Sequence, residues 1–336
     1  MINYEETVQP LIDAALLTQG EVYFYQNDPL REVFQLYFDF TTENLIGNQD
    51  KYKINPSHFY YANDLEINAR AYGHGDHRFI EVNMGAIDRL WTFYQEHAGI
   101  FDDERFEHYK GIAEHKDITA DFLLFQYTTL YFYYHELGHL IQHNDNDDQF
   151  SVNENLIDNA NEANSTQSQT LEFDADWYAA TQLAFVLVDY YRDGEAGNFA
   201  CTVEELSDLI SLGLSAIFNY YVLSANRFPE IYYRVNSHPH PYVRITYVLT
   251  FITDNLNPNL PADFHVDYHS ALSQAILLSE EFLMNGIINQ AFNFAAVFQR
   301  EGDNIEVEIN RIKRVAEQNP KLTLNQLIKK GDETEN

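Results

Sequence analysis

His135-Glu136-Leu137-Gly138-His139 carries the residue types of a zinc site that brings its own general base. On a helix, residues four apart lie one above the other, so both imidazoles reach one metal ion. Glu136, one position after the first histidine, turns toward the open side of the metal, where an attacking water would sit. Zinc brings the pKa of such a water to around 7, and a neighbouring carboxylate can take its proton as it adds to a carbonyl. These three side chains point to hydrolysis of a peptide bond.

A catalytic zinc takes three protein ligands and keeps a further position open. The third candidate lies in Leu171-Glu172-Phe173-Asp174-Ala175-Asp176. Glu172 and Asp176 are four apart and share a helix face. Glu172 is assigned as the ligand, and Asp176 as the acceptor of a ligand histidine's other N–H, which fixes tautomer and ring orientation. The competing reading is an ordinary acidic helix start. Further on, Ser237-His238-Pro239-His240-Pro241 holds the chain extended before a helix starting near Pro241. His238 then stands at the mouth of a cleft, placed to donate to an oxyanion. Arg244 falls on the first turns of that helix, placed to hold a zinc-ligating carboxylate through a bidentate pair. Taken alone, His-Pro-His-Pro is a rigid turn.

The elements that must position these groups are legible in the hydrophobic spacing. Leu123, Leu124, Tyr127, Leu130, Tyr131 and Tyr134 precede the motif at spacings of three and four, and Leu137, Leu140 and Ile141 follow. The pattern predicts one long, largely buried helix from about Thr119 to His143. Histidines and a glutamate buried there are costly unless paired or bound to metal. Helices are also predicted over Thr7–Leu17 and Pro29–Phe40, and a hairpin over Ile67–Tyr72 and Arg78–Asn83. From Met84 onward the pattern is helical, except for Asn144–Gln169, a long polar loop with at most a short helix around Asn155–Ala163. Thr202 and Glu205 form a capping box at the start of a helix whose Leu209–Ala225 portion is short for a membrane span and reads as buried.

The expected fold is therefore mostly α with a small antiparallel β-sheet, an α+β arrangement. It divides into a helical segment over 1–60, a core over 61–260 that includes the 144–170 loop, C-terminal helices over 261–330 and a polar tail over 331–336. The chain has 336 residues, one cysteine (Cys201) and a net charge of −32. That charge disfavours nucleic acid and anionic membranes as partners, since phosphates are met by basic clusters. Basic residues gather instead near the C-terminus, at Arg311, Lys313, Arg314, Lys321, Lys329 and Lys330. The single cysteine rules out an internal disulfide, and Met-Ile-Asn-Tyr-Glu-Glu lacks the features of a signal peptide, so a cytoplasmic protein is expected. The 24 Tyr and 24 Phe are read as core.

The order of motifs resembles the gluzincin metallopeptidases of the M48 type: H-E-x-x-H, then Glu-Phe-Asp-Ala-Asp, then Ser-His-Pro with an arginine six residues after the histidine. Upstream, Ile67-Asn68-Ala69-Arg70-Ala71-Tyr72 and Phe79-Ile80-Glu81-Val82-Asn83 are similar to that family's Asn-Ala strand and the strand entering the next helix. The resemblance covers roughly Ile67 to Leu249. It implies a zincin-like fold with one zinc per chain, and an edge strand whose Asn68 and Ala69 bind the substrate backbone. Lacking the membrane spans of many members, the chain is more similar to the soluble Lit-like phage-exclusion (U49) peptidases. That likeness implies cleavage of an intracellular protein during phage infection or stress. Two rival readings remain: a zinc-holding protein-interaction module that cuts nothing, and a repressor-cleaving peptidase of the M78 type. The latter usually accompanies a DNA-binding module, and none is evident.

Overall fold

Thr119, itself extended after a turn, leads directly into α5 (Ala120–Gln142), the 23-residue helix that carries H-E-x-x-H. Nearly every residue of α5 is buried, from Leu123 to Gln142. A helix apolar on all sides must be surrounded, and the rest of the chain supplies the cover. The computed structural model describes residues 2–144, 149–153, 162–190, 192–193, 198–199, 201–224, 231–234, 236–260, 265–286, 294–320 and 322–323.

Before α5 come α1 (Tyr4–Asp13), α2 (Arg31–Tyr52), α3 (Met84–Glu96) and α4 (His108–Glu114). After it come α6 (Glu162–Tyr190), α7 (Val203–Ser224), α8 (Pro241–Leu256), α9 (Tyr268–Gly286) and α10 (Phe294–Ala316). The molecule is thus mostly helical. α7 runs through the interior between α5, α9, α8 and α4. Buried hydroxyl pairs tie it to its neighbours: Tyr109 to Ser211 at 2.8 Å, and Ser215 to Ser279 at 2.9 Å. Its start is the predicted capping box, with Glu205 N–H donating to Thr202 Oγ1 and Thr202 N–H to the Glu205 carboxylate. Among the described residues α7 is the one helix long and apolar enough to cross a membrane, and 83% of its apolar window is buried inside the molecule.

A four-stranded sheet in the order β1-β3-β2-β4 lies beside these helices, formed by β1 (Ser57–Ala62), β2 (Ala69–His74), β3 (His77–Asn83) and β4 (Gln149–Asn153). The β2–β3 hairpin turns at Gly75, whose φ of 56° suits a residue without Cβ. Ala69 and Ala71 pair with Val82 and Ile80, and this buried face meets α5.

Three expectations are corrected here. The sheet is mixed rather than antiparallel: the hairpin returns the chain alongside β1 in the direction β1 already runs, so β1 and β3 pair in parallel. The Ile67–Tyr72 segment is not an edge strand, because β4 pairs antiparallel with Arg70–His74 on the side away from β3. The polar stretch from Asn144 to Gln169 is not one long loop: it contains β4 and the first two turns of α6. The short helix expected around Asn155–Ala163 falls mostly on residues 155–161, outside the described residues, as do Lys321, Lys329, Lys330 and the 331–336 tail.

Candidate metal centre

Tyr131, His135, His139 and Gln142 form a single stripe along α5, at spacings of four, four and three. α6 crosses this stripe closely because Gly138 has no side chain. A Cβ built at Gly138 would lie 3.1 Å from Ala175 Cα. The approach brings Glu172, one turn before Asp176 on α6, over both imidazoles. Glu172 Oε2 is 3.4 Å from His135 Nε2, and Oε1 is 3.4 Å from His139 Nε2. The two Nε2 atoms are 3.0 Å apart. One donor atom from each of His135, His139 and Glu172 lies within 4.8 Å of the others, and all three residues are at most 3% exposed. This buried group can hold a metal ion. Two further observations fit that reading: buried Glu172 Oε2 and His238 Nε2 each make no hydrogen bond.

Both rings are set to present Nε2. Asp176 Oδ1 lies 2.8 Å from His135 Nδ1 and takes its proton-bearing side. His139 Nδ1 donates to Gln142 Oε1 at 2.9 Å. In each ring the unprotonated nitrogen is therefore Nε2, the one aimed at Glu172. Glu136 is 1% exposed between the two histidines on α5, close enough that its charge raises the pKa of His139. Burial pushes that imidazole's pKa down, and the Glu172 carboxylate together with Glu136 leaves it raised overall. Glu172 itself is pushed up by burial and pulled further down by His238 and His139, ending well below the usual carboxylate range.

Asp176 is the most heavily bonded carboxylate of the site. Arg244 grips it through two donors, Nε to Oδ2 at 2.8 Å and Nη2 to Oδ1 at 2.7 Å. Tyr131 and Tyr247 donate to it at 2.5 and 2.6 Å, and Tyr221 at 3.3 Å. Burial raises the Asp176 pKa, but Arg244 and His135 outweigh it and hold the group ionised. Arg244 is thus corrected from its expected partner: its bidentate grip is on Asp176, and it reaches Glu172 Oε2 only at 3.5 Å. Its guanidinium also lies over the Tyr221 ring, 4.5 Å from the centroid.

His238 arrives from a loop fastened to α6. Ser165 Oγ donates to Arg234 O at 2.8 Å, and Gln169 Nε2 donates to Asn236 O at 2.9 Å. His240 then caps α8, its Nδ1 accepting from Tyr242 N–H, with Pro241 in the first turn. His238 Nε2 stands 3.5 Å from Glu172 Oε1, while Ser237 Oγ is 2.9 Å from its Nδ1. Its side chain is 12% exposed against 4% or less for the three ligand candidates, which makes it the outermost of these groups. Asn68 and Ala69 are buried at the start of β2, on the strand that packs against α5, with Asn68 O accepting from Asn83 N–H.

No protein-family model, curated protein or solved structure matches the chain.

Sequence reasoning missed Gln142, Tyr131, Tyr221 and Tyr247. A signal existed for three of them. Tyr131 is one turn before His135, Gln142 is three residues after His139, and Tyr247 is three after Arg244. Any of these places a side chain on the same helical face as a named site residue. Tyr221 sits on α7 and reaches the site only through tertiary packing, so no spacing pointed to it.

Proposed function

We propose that this protein is a zinc-dependent endopeptidase with a zincin-like arrangement, acting on an intracellular protein in the cytoplasm. The observation that carries this reading is the convergence of His135 Nε2, His139 Nε2 and the Glu172 carboxylate beside Glu136, with both imidazole tautomers fixed from behind. Two imidazoles and one carboxylate are a donor set suited to zinc in its catalytic form. Zinc, when bound, supplies a Lewis acid that polarises a carbonyl and acidifies water. Glu136 takes the proton from the attacking water and passes it toward the leaving amine. His238 donates to the oxygen that gains charge as the carbonyl is attacked. Arg244 acts through Asp176, holding the carboxylate that orients His135. Peptide bonds are the favoured substrate because the motif order resembles that of the gluzincin peptidases. Phage exclusion or a stress response is the setting that the Lit-like resemblance implies.

A second reading has an observation in its favour. The ligand candidates and Glu136 are almost fully enclosed, which suits a structural zinc in a protein-binding module. The two readings part at Glu136. Expressing wild type and Glu136→Gln in parallel, and mapping new protein termini across the proteome, is the test. A peptidase yields termini present only with wild type, while identical terminus maps would leave the structural reading in place.

A further inference from the structure

The sequence motif Glu-Phe-Asp-Ala-Asp contains an acid that the mechanism does not use. Asp174 is fully buried and lies two residues from both Glu172 and Asp176, off their shared helix face, and it contacts Gln142, the partner of His139 Nδ1. Its Oδ2 accepts from Gln142 Nε2 at 2.8 Å, from Thr323 N–H at 2.9 Å and from Thr323 Oγ1 at 2.9 Å. Thr323 and Leu322 are themselves completely buried, although Thr323 lies 149 residues along the chain from Asp174. We infer that Asp174 and Thr323 are positioning residues of the metal centre, and that Thr323, through Asp174 and Gln142, sets how tightly His139 holds the ion.

The argument turns on which way the Gln142 amide faces. Its nitrogen has two partners, Leu171 O at 2.8 Å and Asp174 Oδ2 at 2.8 Å. Both are acceptors only, so the NH₂ end must face them and Oε1 must face His139. An oxygen 2.9 Å from His139 Nδ1 requires that nitrogen to carry the proton, which leaves the Nε2 lone pair for the metal. Asp174 and the Leu171 carbonyl together deny the amide its other orientation, and of the two Asp174 is the side chain that a substitution can remove. With NH₂ toward Nδ1 instead, the ring would be driven to the tautomer that protonates Nε2, and it could not ligate. Asp174 in turn is a buried carboxylate that needs donors. Gln142 supplies one, and the two from Thr323 hold the oxygen aimed at Gln142. His135 is served differently, by Asp176 and Arg244, both within the core. The centre thus has one imidazole fixed by Asp176 and Arg244 and one fixed through Gln142, Asp174 and the distant Thr323.

This inference rests on the metal reading but not on peptide hydrolysis, so its readout is zinc affinity. Purified full-length wild type, Gln142→Leu, Asp174→Asn, Thr323→Val and Thr323→Ser would be titrated with zinc against a competing chelator, with the melting temperature of each metal-free protein measured in parallel. Gln142→Leu and Asp174→Asn are expected to weaken zinc binding by roughly 10–100-fold, the usual cost of losing the partner behind a ligand histidine. Thr323→Val removes the hydroxyl donor to Asp174 and is expected to weaken zinc binding in the same direction by a smaller factor. Thr323→Ser, which keeps the hydroxyl, is expected to match wild type. Variants that melt lower without metal yet bind zinc as tightly as wild type would overturn the inference and make the cluster merely structural. A wild type that binds no zinc at all would remove the metal reading itself, a distinct result. Tight zinc binding without Glu136-dependent cleavage would leave this inference standing and end only the peptidase proposal.

Discussion

Asp176 shows how much of the site rests on a single charged contact. It is buried with five groups around it, and Arg244 is the one full positive charge among them. Removing one member of a buried pair leaves the other uncompensated, which typically costs ~3–5 kcal/mol. Arg244→Ala is therefore expected to lower unfolding stability by about that amount in denaturant titrations, and to loosen zinc as His135 loses its fixed acceptor. A loss under about 1 kcal/mol, the surface-pair range, would show that Tyr131, Tyr221 and Tyr247 suffice to hold Asp176. At this scale the sequence was informative wherever helical spacing alone defines a face. His135, His139, Glu172 and Asp176 follow from i, i+4 relations within two helices, and the structure brings them together. Arg244's true partner was not legible, because which of two carboxylates on α6 an arginine on α8 meets depends on how the helices cross, not on their sequences. The same holds for the chain from Thr323 to His139.

Helix α5 and helix α6 meet at Gly138 and Ala175, and the geometry of the metal group depends on that contact. Gly138→Ala adds a Cβ 3.1 Å from Ala175 Cα, tight enough that α6 must give by a few tenths of an ångström. Gly138→Val adds two branches beyond it. Overpacking of this kind costs about 1–3 kcal/mol, and here it also lifts Glu172 from the imidazoles. Gly138→Val is expected to lower both melting temperature and zinc affinity, with Gly138→Ala intermediate in both. Unchanged affinity in Gly138→Val would mean that the close crossing does not set the ligand geometry. The bounds of α5 were readable because its apolar spacing is strong and uninterrupted. The start of α6 was not: Asn164-Ser165-Thr166-Gln167-Ser168-Gln169 has the composition of a loop, yet Ser165 and Gln169 spend their polar groups on the 231–236 backbone. Strand β1 escaped notice for a related reason. Ser57-His58-Phe59-Tyr60-Tyr61-Ala62 is buried on both faces, so it shows no alternation.

Over the whole molecule, 52 acidic residues face 20 basic ones. Like charges repel within a compact chain, and salt shortens the reach of that repulsion from ~30 Å at 0.01 M to ~8 Å at 0.15 M. The melting temperature is expected to rise by a few degrees over that range. A fall would show that surface ion pairs, such as Arg105 with Asp103 and Glu281, outweigh the net repulsion. A bound metal would add to stability by a separate route, since an ion that binds only the folded chain stabilises it by mass action. Free zinc at a hundred times its dissociation constant contributes ~2.7 kcal/mol. Stripping the metal with a chelator is accordingly expected to lower the melting temperature of wild type and to leave that of His139→Ala unchanged.

Zinc stoichiometry by elemental analysis, on wild type and His139→Ala purified side by side, bears most directly on the central claim. His139 lies within 3.4 Å of Glu172 and 3.0 Å of His135, so its loss takes one of the three donors of the group that converges among the described residues. The expected result is one zinc per chain in wild type and essentially none in His139→Ala, with both proteins folded by circular dichroism. One zinc per chain retained by His139→Ala would place the metal elsewhere and contradict the account.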